Sequence, residues 1–366
     1  MSERIFLDAP DIGVFEKKYL SKAVDSGYVS TVGPFVPEFE KKFAKCIGTK
    51  NAISTQSGTA AIHMALYEMK IGKGDEVIVP ALSFVATTNP VLYVGAEPVF
   101  ADVDPDTWCI SPLSIEKLIT KKTKAIIPVH LYGNPCDMKT INRIAKEHKI
   151  MVIEDATESL GAVYCGKFTG ALGNFGCFSF NGNKTITTGG GGMVVSGNKA
   201  AIEHIKFLVN QARDEKKGYY HPEMGFNYRM TNIEAALGLA QLERMEKLLQ
   251  RKRRINEIYH EELDGNDKIS FQGEYEGAKS SDWLNSVLIR ADIRRMITLL
   301  KEKNIPARRI FMPMTMFPYY RNARKDKLRN TLDIYKNGIC LPSSTRNSED
   351  DIRFVCDVIN KILKGA

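Results

Sequence analysis

The chain has 366 residues, of which 43% are hydrophobic, 26% charged and 9% aromatic, with 28 Gly and 15 Pro. Those proportions are ordinary for a globular protein and exclude disorder, collagen and coiled coil as the main architecture. Lys and Arg number 51 against 43 Asp and Glu, and the formal charge of +8 is spread along the chain, which suits a small anionic substrate as well as a nucleic acid.

At roughly 150 residues per domain, the length predicts a large domain over 1–250 and a smaller one over 251–366. Residues 1–8 carry no apolar run behind a basic start, and no window of 18 uninterrupted apolar residues occurs. Neither a signal peptide nor a membrane span is therefore expected, and the protein reads as cytoplasmic. The seven cysteines form no Cys-x-x-Cys pair and read as reduced core thiols, with neither a disulfide framework nor a metal site.

Short β-branched runs at 52–54, 76–80, 98–101, 124–129, 149–154, 175–180 and 192–196 alternate with helical patterns. This alternation predicts an α/β fold whose mixed sheet is mostly parallel, with helices on both faces. Over 59–69, Ile62, Ala65, Leu66 and Met69 recur at helical spacing, so one face of that helix is expected to be buried. A long helix over 233–258 follows and bridges to a smaller α+β region: a strand at 283–289, a helix at 294–303, an irregular aromatic segment at 310–320 and a closing helix at 350–363. The basic run 250–254 reads as a solvated helix face.

Three places could carry chemistry. Ser57, Gly58 and Thr59 lie between a strand and the start of a helix, where hydroxyls and unpaired N–H groups can hold a phosphate; the plainer reading is a helix cap. Asp155 ends an apolar strand at the edge where parallel sheets bind ligands, with Glu154 sent to the other face by strand alternation; the plainer reading makes Asp155 the cap of a helix from Ala156. Lys184 follows an Asn181-Gly182 turn between two buried strands and precedes four glycines, Gly189 to Gly192. Burial there should lower its pKa and make the amine a nucleophile towards a carbonyl, while the glycines admit a bulky ligand. A phosphate cradle, a strand-end aspartate and such a lysine are the parts that a pyridoxal 5'-phosphate site needs.

With these residues the chain resembles the DegT/DnrJ/EryC1/StrS sugar aminotransferases, which have the fold-type-I, aspartate-aminotransferase-like architecture. The resemblance runs through 32–40, 57–59, 74–80, 83–89, 95–98, 154–156, 183–184, 225–232, 313–314 and 340–344. It implies that Lys184 bonds the cofactor, that Asp155 pairs with the pyridine nitrogen, and that Gly58, Thr59 and Ser179, beside Ser57, hold the phosphate. Phe84 matches an aromatic that stacks on the cofactor ring. Asn227 matches an asparagine that reaches the neighbouring subunit's phosphate, which implies a homodimer with shared sites; its plainer reading is a turn residue.

Two departures matter. Gly190 stands where many members carry Glu, and Glu158 where many carry Gln, close to the cofactor hydroxyl. With the 181–184 segment, these look like the branch acting on UDP-linked 4-keto-6-deoxy-N-acetylhexosamines in bacillosamine or legionaminic acid synthesis. GDP-perosamine synthases and 3-keto sugar aminotransferases are the alternatives. The expected reaction moves an amino group from L-glutamate, leaving 2-oxoglutarate, to C4 of a nucleotide-linked sugar. Asn181, Arg229 and Arg308 (or Arg309) are the candidates to meet that substrate. A regulator that keeps the cofactor and binds nucleic acid is the reading from another class, but no helix-turn-helix or aromatic-basic pattern supports it. The stretch 161–167 mimics the start of a P-loop, but Phe168 replaces its Ser or Thr and the glycines after it disfavour a helix.

Overall fold

The structure, a computed structural model, describes residues 4–365; residues 1–3 of the N-terminal stretch read above lie outside them. Helices α1 (Val14–Asp25) and α2 (Phe35–Ile47) lead into an alternating run. It comprises β1 (Asn51–Thr55), α3 (Gly58–Glu68), β2 (Glu76–Pro80), α4 (Val85–Tyr93), β3 (Glu97–Ala101), α5 (Pro112–Leu118), β4 (Thr123–Ile126), α6 (Met138–His148) and β5 (Met151–Asp155). A hairpin, β6 (Val163–Tyr164) and β7 (Lys167–Phe168), occupies the P-loop-like stretch and is followed by β8 (Phe175–Ser179), β9 (Gly192–Ser196) and α7 (Lys199–Val209). The long helix α8 (Asn232–Leu263) precedes β10 (Ile269–Phe271), β11 (Ala278–Lys279), β12 (Ser286–Ile289), α9 (Ile293–Glu302), β13 (Arg308–Arg309), α10 (Arg329–Asn337), β14 (Gly338–Cys340) and α11 (Glu349–Lys364).

Seven strands form one sheet in the order β1-β9-β8-β5-β4-β2-β3. Its β8-β5-β4-β2-β3 part is parallel, whereas β9 runs antiparallel to both β8 and β1. The reversal follows from the connection, because β8 and β9 are joined by a turn and have no crossover helix between them. That turn carries Lys184. A second sheet, β10-β12-β14-β13, packs its inner residues Val287, Ile289 and Ile339 against Ile255, Tyr259 and Ile359 from α8 and α11.

Helix α3 is apolar on nearly every side: Ala60, Ala61, Ile62, Met64, Ala65 and Leu66 are all buried, so it lies inside the molecule with its N-terminus at the sheet edge. Helix α8 extends to Leu263, past the expected end, because Ile258, Tyr259 and Leu263 continue its apolar face into the second core. Strand β12 begins at Ser286, later than expected; Asp282 adopts a left-handed backbone (φ 53°), which removes Trp283 to Asn285 from the ladder. Strand β5 likewise starts at Met151, because Lys149 is the left-handed residue that ends α6.

Two readings of single residues need correction. Lys252, at the centre of the supposedly solvated basic run, has a side chain only 3% exposed. Its ammonium donates to Asp8 Oδ1 at 2.8 Å and to the carbonyl oxygens of Trp283 and Ser343 at 2.7 and 2.8 Å, a full set of partners for three N–H groups. Cys165 is exposed, whereas Cys109, Cys136, Cys177, Cys340 and Cys356 are buried as read.

His63 on α3 is buried among the rings of Tyr67, Tyr93, Phe226 and Tyr228, and burial lowers its pKa to about 4. The unfolded chain, with the ordinary value near 6.5, then binds the proton more readily. The contribution is complete above pH 6.5 and is lost as pH falls from there towards 4. Urea unfolding of His63→Phe should therefore show a flatter loss of stability over that interval than the parent chain, by up to about 3 kcal/mol. Parallel pH profiles for the two proteins would refute it.

Candidate active site

A cavity of about 310 Å³ opens at the carboxyl edge of the parallel strands. This is the position at which open α/β sheets take ligands. The fold brings ten of the twelve residues singled out in the sequence to its wall. Ser57, Gly58 and Thr59 come from the start of α3 and Phe84 from the cap of α4; Asp155, Glu158 and Ser179 lie beside them. Asn181, Lys184 and Arg308 complete the set. Asn227 and Arg229 are not part of this wall; Asn227 is exposed.

The cradle depends on a missing side chain. A Cβ on Gly58 would come within 2.8 Å of Ser179 Cβ and 3.0 Å of Thr157 Cγ2, so only glycine lets the helix start this close to the end of β8. Helices leave their first N–H groups without intrahelical partners, and Gly58 and Thr59 carry two of them to the cavity. The Ser57 hydroxyl accepts from Ala60 N–H at 3.1 Å and thus caps the helix, as the plainer reading had it. Gly190 and Gly191 line the cavity as well, but a Cβ on Gly192 would collide with the Ser57 carbonyl oxygen. Part of the glycine run therefore serves to seat β9 against the cradle.

Glu154 and Asp155 point to opposite faces, and the two faces use them differently. Glu154 accepts from the N–H groups of Gly170, Leu172 and Gly173 at 2.8, 2.6 and 2.5 Å and lies 3.0 Å from His130 Nε2. It pins the turn-rich segment that returns to β8. Asp155 faces the cavity, 2% exposed, accepting from the Thr87 hydroxyl at 2.7 Å and from Thr157 N–H at 3.1 Å. No helix begins at Ala156, so Asp155 caps nothing.

Lys184 lies in the β8–β9 turn, its N–H donating to the Asn181 carbonyl at 3.0 Å. Burial pulls its amine below the ordinary lysine range, opposed by the carboxylates of Glu158, Asp155 and Asp8. Glu158 Oε1 stands 3.8 Å from Lys184 Nζ, while Oε2 accepts from Tyr132 N–H at 3.0 Å; burial pushes this carboxyl up. Phe84 is 53% exposed at the mouth, its ring centroid 5.6 Å from that of Phe311. Arg308 reaches the cavity, whereas Arg309 turns away to the Tyr335 carbonyl at 3.1 Å.

The sequence reading missed Thr87, Asp8, Trp283 and Phe311. Thr87 lies within the motif at 83–89 and Phe311 in the aromatic segment at 310–320, whereas Asp8 and Trp283 come from distant segments without any local signal. A second cavity, about 380 Å³, is lined by Tyr132, His260 and Asp282 among others and holds none of the residues singled out.

The donor set fits pyridoxal phosphate: helix-start N–H groups and a serine hydroxyl for a phosphate, a buried carboxylate for a ring nitrogen, and a desolvated amine for an aldehyde. The fold and this donor set define an aspartate-aminotransferase-like, pyridoxal phosphate-dependent aminotransferase. The sequence profile of the DegT/DnrJ/EryC1/StrS aminotransferase family matches residues 10–360, and the chain belongs to that family. It is 40% identical to the GDP-perosamine synthase of Caulobacter vibrioides over 98% of each chain, and 40% identical to that of Escherichia coli O157:H7 over 96% of each. Among solved structures it is similar to PseC of Helicobacter pylori, an aminotransferase involved in pseudoaminic acid biosynthesis, at 25% identity and a TM-score of 0.94 over the whole of both chains. The protein is a nucleotide-sugar aminotransferase.

The strand neighbours predict opposite phenotypes. Glu154→Gln should lower the stability of the cofactor-free protein by about 3 kcal/mol, because a carboxamide turns donors towards buried N–H groups. Asp155→Asn should leave urea unfolding nearly unchanged and abolish amino transfer. Equal destabilisation by both variants would show that the two faces do not divide the work in this way.

Proposed function

We propose that the enzyme carries an amino group from L-glutamate to C4 of a GDP-linked 4-keto-6-deoxy sugar. The observation that carries the transfer chemistry is the desolvated amine of Lys184, in one cavity with Asp155 and the α3 cradle. The two GDP-perosamine synthases, matched nearly end to end, favour a guanosine nucleotide over the UDP-linked N-acetylhexosamine expected from Gly190 and Glu158 with the 181–184 segment.

When bound, pyridoxal phosphate supplies an aldehyde carbon that takes up the amino group and a ring that accepts electrons from the bond being broken. Gly58, Thr59 and Ser179 would hold its phosphate, and Phe84 would cover a ring face. Asp155, fixed by Thr87 and Thr157, would keep a proton on the ring nitrogen. Glu158 would stand beside the ring hydroxyl. Lys184 Nζ takes the proton from the donor's Cα and, in the second half of the reaction, takes one up and returns it to C4 of the acceptor sugar. Its lowered pKa leaves more of the amine unprotonated and able to act as base. Asn181 and Arg308 are placed to meet the acceptor, with the guanidinium suited to its diphosphate.

We assign Asn227 to the cavity of a second copy, which makes the working unit a homodimer. Its exposure supports this, as do Tyr219 and Met224 on the same segment, 86% and 65% exposed. Arg229, outside its own chain's cavity, would go with it. A cytoplasmic location belongs to the same proposal and rests on the free thiols.

Lys184→Ala should lose the visible absorption of the bonded cofactor and about a thousandfold or more of the transfer rate. A variant that keeps both would end the mechanism. Enzyme loaded with pyridoxamine phosphate should be consumed fastest by the GDP-linked sugar when GDP-, UDP- and dTDP-linked 4-keto-6-deoxy sugars are offered; preference for the UDP sugar restores the N-acetylhexosamine reading. Mixing inactive Lys184→Ala and Asn227→Ala proteins should recover part of the activity through hybrid dimers, and no recovery would count against a shared site.

A further inference from the structure

Trp283 plays no part in the chemistry above, yet its ring centroid lies 3.9 Å from Lys184 Nζ. The indole is 1% exposed, and its Nε1–H donates to the Asn183 carbonyl at 2.7 Å, so it holds the backbone just before the lysine as well as the lysine's tip.

The residue is held at its backbone as well as at its ring. Lys252, paired with Asp8, donates to the Trp283 carbonyl at 2.7 Å. On one side the stack continues through Tyr132 and Phe311, with centroid separations of 6.3 and 5.2 Å and interplanar angles of 27° and 26°. Tyr132 and Asp282 both adopt left-handed backbone, φ 59° and 53°, and a Cβ on Gly133 would stand 2.9 Å from Trp283 N. Such conformations persist only where the surroundings over-determine them. The two strained loops lock together and present an indole face to one side chain, Lys184.

A cation over an indole is stabilised most where water is excluded. Of the charged groups near the amine, Glu158, Asp155 and Asp8 are acidic and Arg308 is basic. Glu158, at 3.8 Å, is the one in ion-pair contact.

We propose that Trp283 is a positioning residue for amino transfer, whose indole face receives the Lys184 ammonium whenever that amine is not bonded to the cofactor. The proton that Nζ takes from the donor's Cα makes it an ammonium, and the indole and Glu158 keep that charge within the cavity until the proton is given up to carbon. This rests on Lys184 being the cofactor-bonding amine, as proposed above.

The test uses the full chain carrying 5-fluorotryptophan at its two tryptophans, Trp108 and Trp283. The ¹⁹F resonance missing from Trp283→Phe identifies Trp283. In enzyme loaded with pyridoxamine phosphate, where Lys184 is free, that resonance should titrate with pH, and Lys184→Ala should abolish the titration. Competitive acetylation of Lys184 in the same form should show its apparent pKa lowered by about one unit in Trp283→Leu and by less than half of that in Trp283→Phe, which keeps a π face. A Trp283 resonance that does not follow Lys184, or a pKa unchanged in both variants, overturns the proposal. The resonance arm uses native Trp283 and stands even if Trp283→Leu fails to fold. Failure of the lysine reading is separate: it appears as visible cofactor absorption surviving in Lys184→Ala.

Discussion

A lysine amine largely withdrawn from water, its side chain 13% exposed on the wall of a cavity, is the constraint on which the rest of this structure depends. An unpaired ammonium in a dry cavity is costly, so the fold must either neutralise it or surround it with partners. Both occur. Burial lowers the Lys184 pKa, while Glu158, Asp155 and Asp8 restore part of it, leaving an amine able to exist in both protonation states. Proton transfer to and from carbon needs a group of that kind.

Each partner of the amine is held in turn by something that would otherwise be unpaired. Glu158 is fixed by Tyr132 N–H, and Tyr132 by its left-handed turn and by Phe311 N–H, which donates to its hydroxyl at 3.0 Å. Asp8 is pinned by Lys252, which also holds the Trp283 carbonyl. Residues from positions 8, 132, 158, 252 and 283 thus form a continuous polar and aromatic shell around position 184. Most of its polar groups are paired, with Asp8 Oδ2 left without a hydrogen-bond partner, and this mutual pairing ties the chemistry of the site to the integrity of the fold.

The legible part of this arrangement is the part carried by short stretches of chain. Period-two alternation sends Glu154 and Asp155 to opposite faces, and a glycine between a strand and a helix points to the cradle at Gly58. Local rules failed where distant segments meet. Lys252 lies in a run of basic residues whose composition suggests solvent, although its spacing from Leu248, Ile255 and Tyr259 puts it on the buried face; Asp8, 244 positions away, and the Trp283 and Ser343 carbonyls make its burial tolerable. Trp283 contacts a turn 100 positions earlier, and nothing in its own neighbourhood announces the contact. The boundaries of β5 and β12 shifted because Lys149 and Asp282 take left-handed conformations that non-glycine residues seldom adopt.

The cavity wall is not uniform in how firmly its members are held. Asp155 and Glu158 are buried and the Lys184 side chain is 13% exposed; a change at Lys184 meets the Trp283 ring directly and, through the Trp283 carbonyl, Lys252. Phe84 is half exposed at the mouth, whereas Arg308, on the short edge strand β13, is half-buried and its charge reaches the carboxylates of Glu158 and Asp8. Substitution at Phe84 leaves no buried charge unpaired and should cost little stability, whereas loss of the Arg308 cation removes a partner of two buried carboxylates. The TM-score of 0.94 at 25% identity to an aminotransferase of pseudoaminic acid biosynthesis shows that a fold of this kind persists through wide change of sequence, as expected where backbone ladders and buried packing, and not individual surface residues, hold it together.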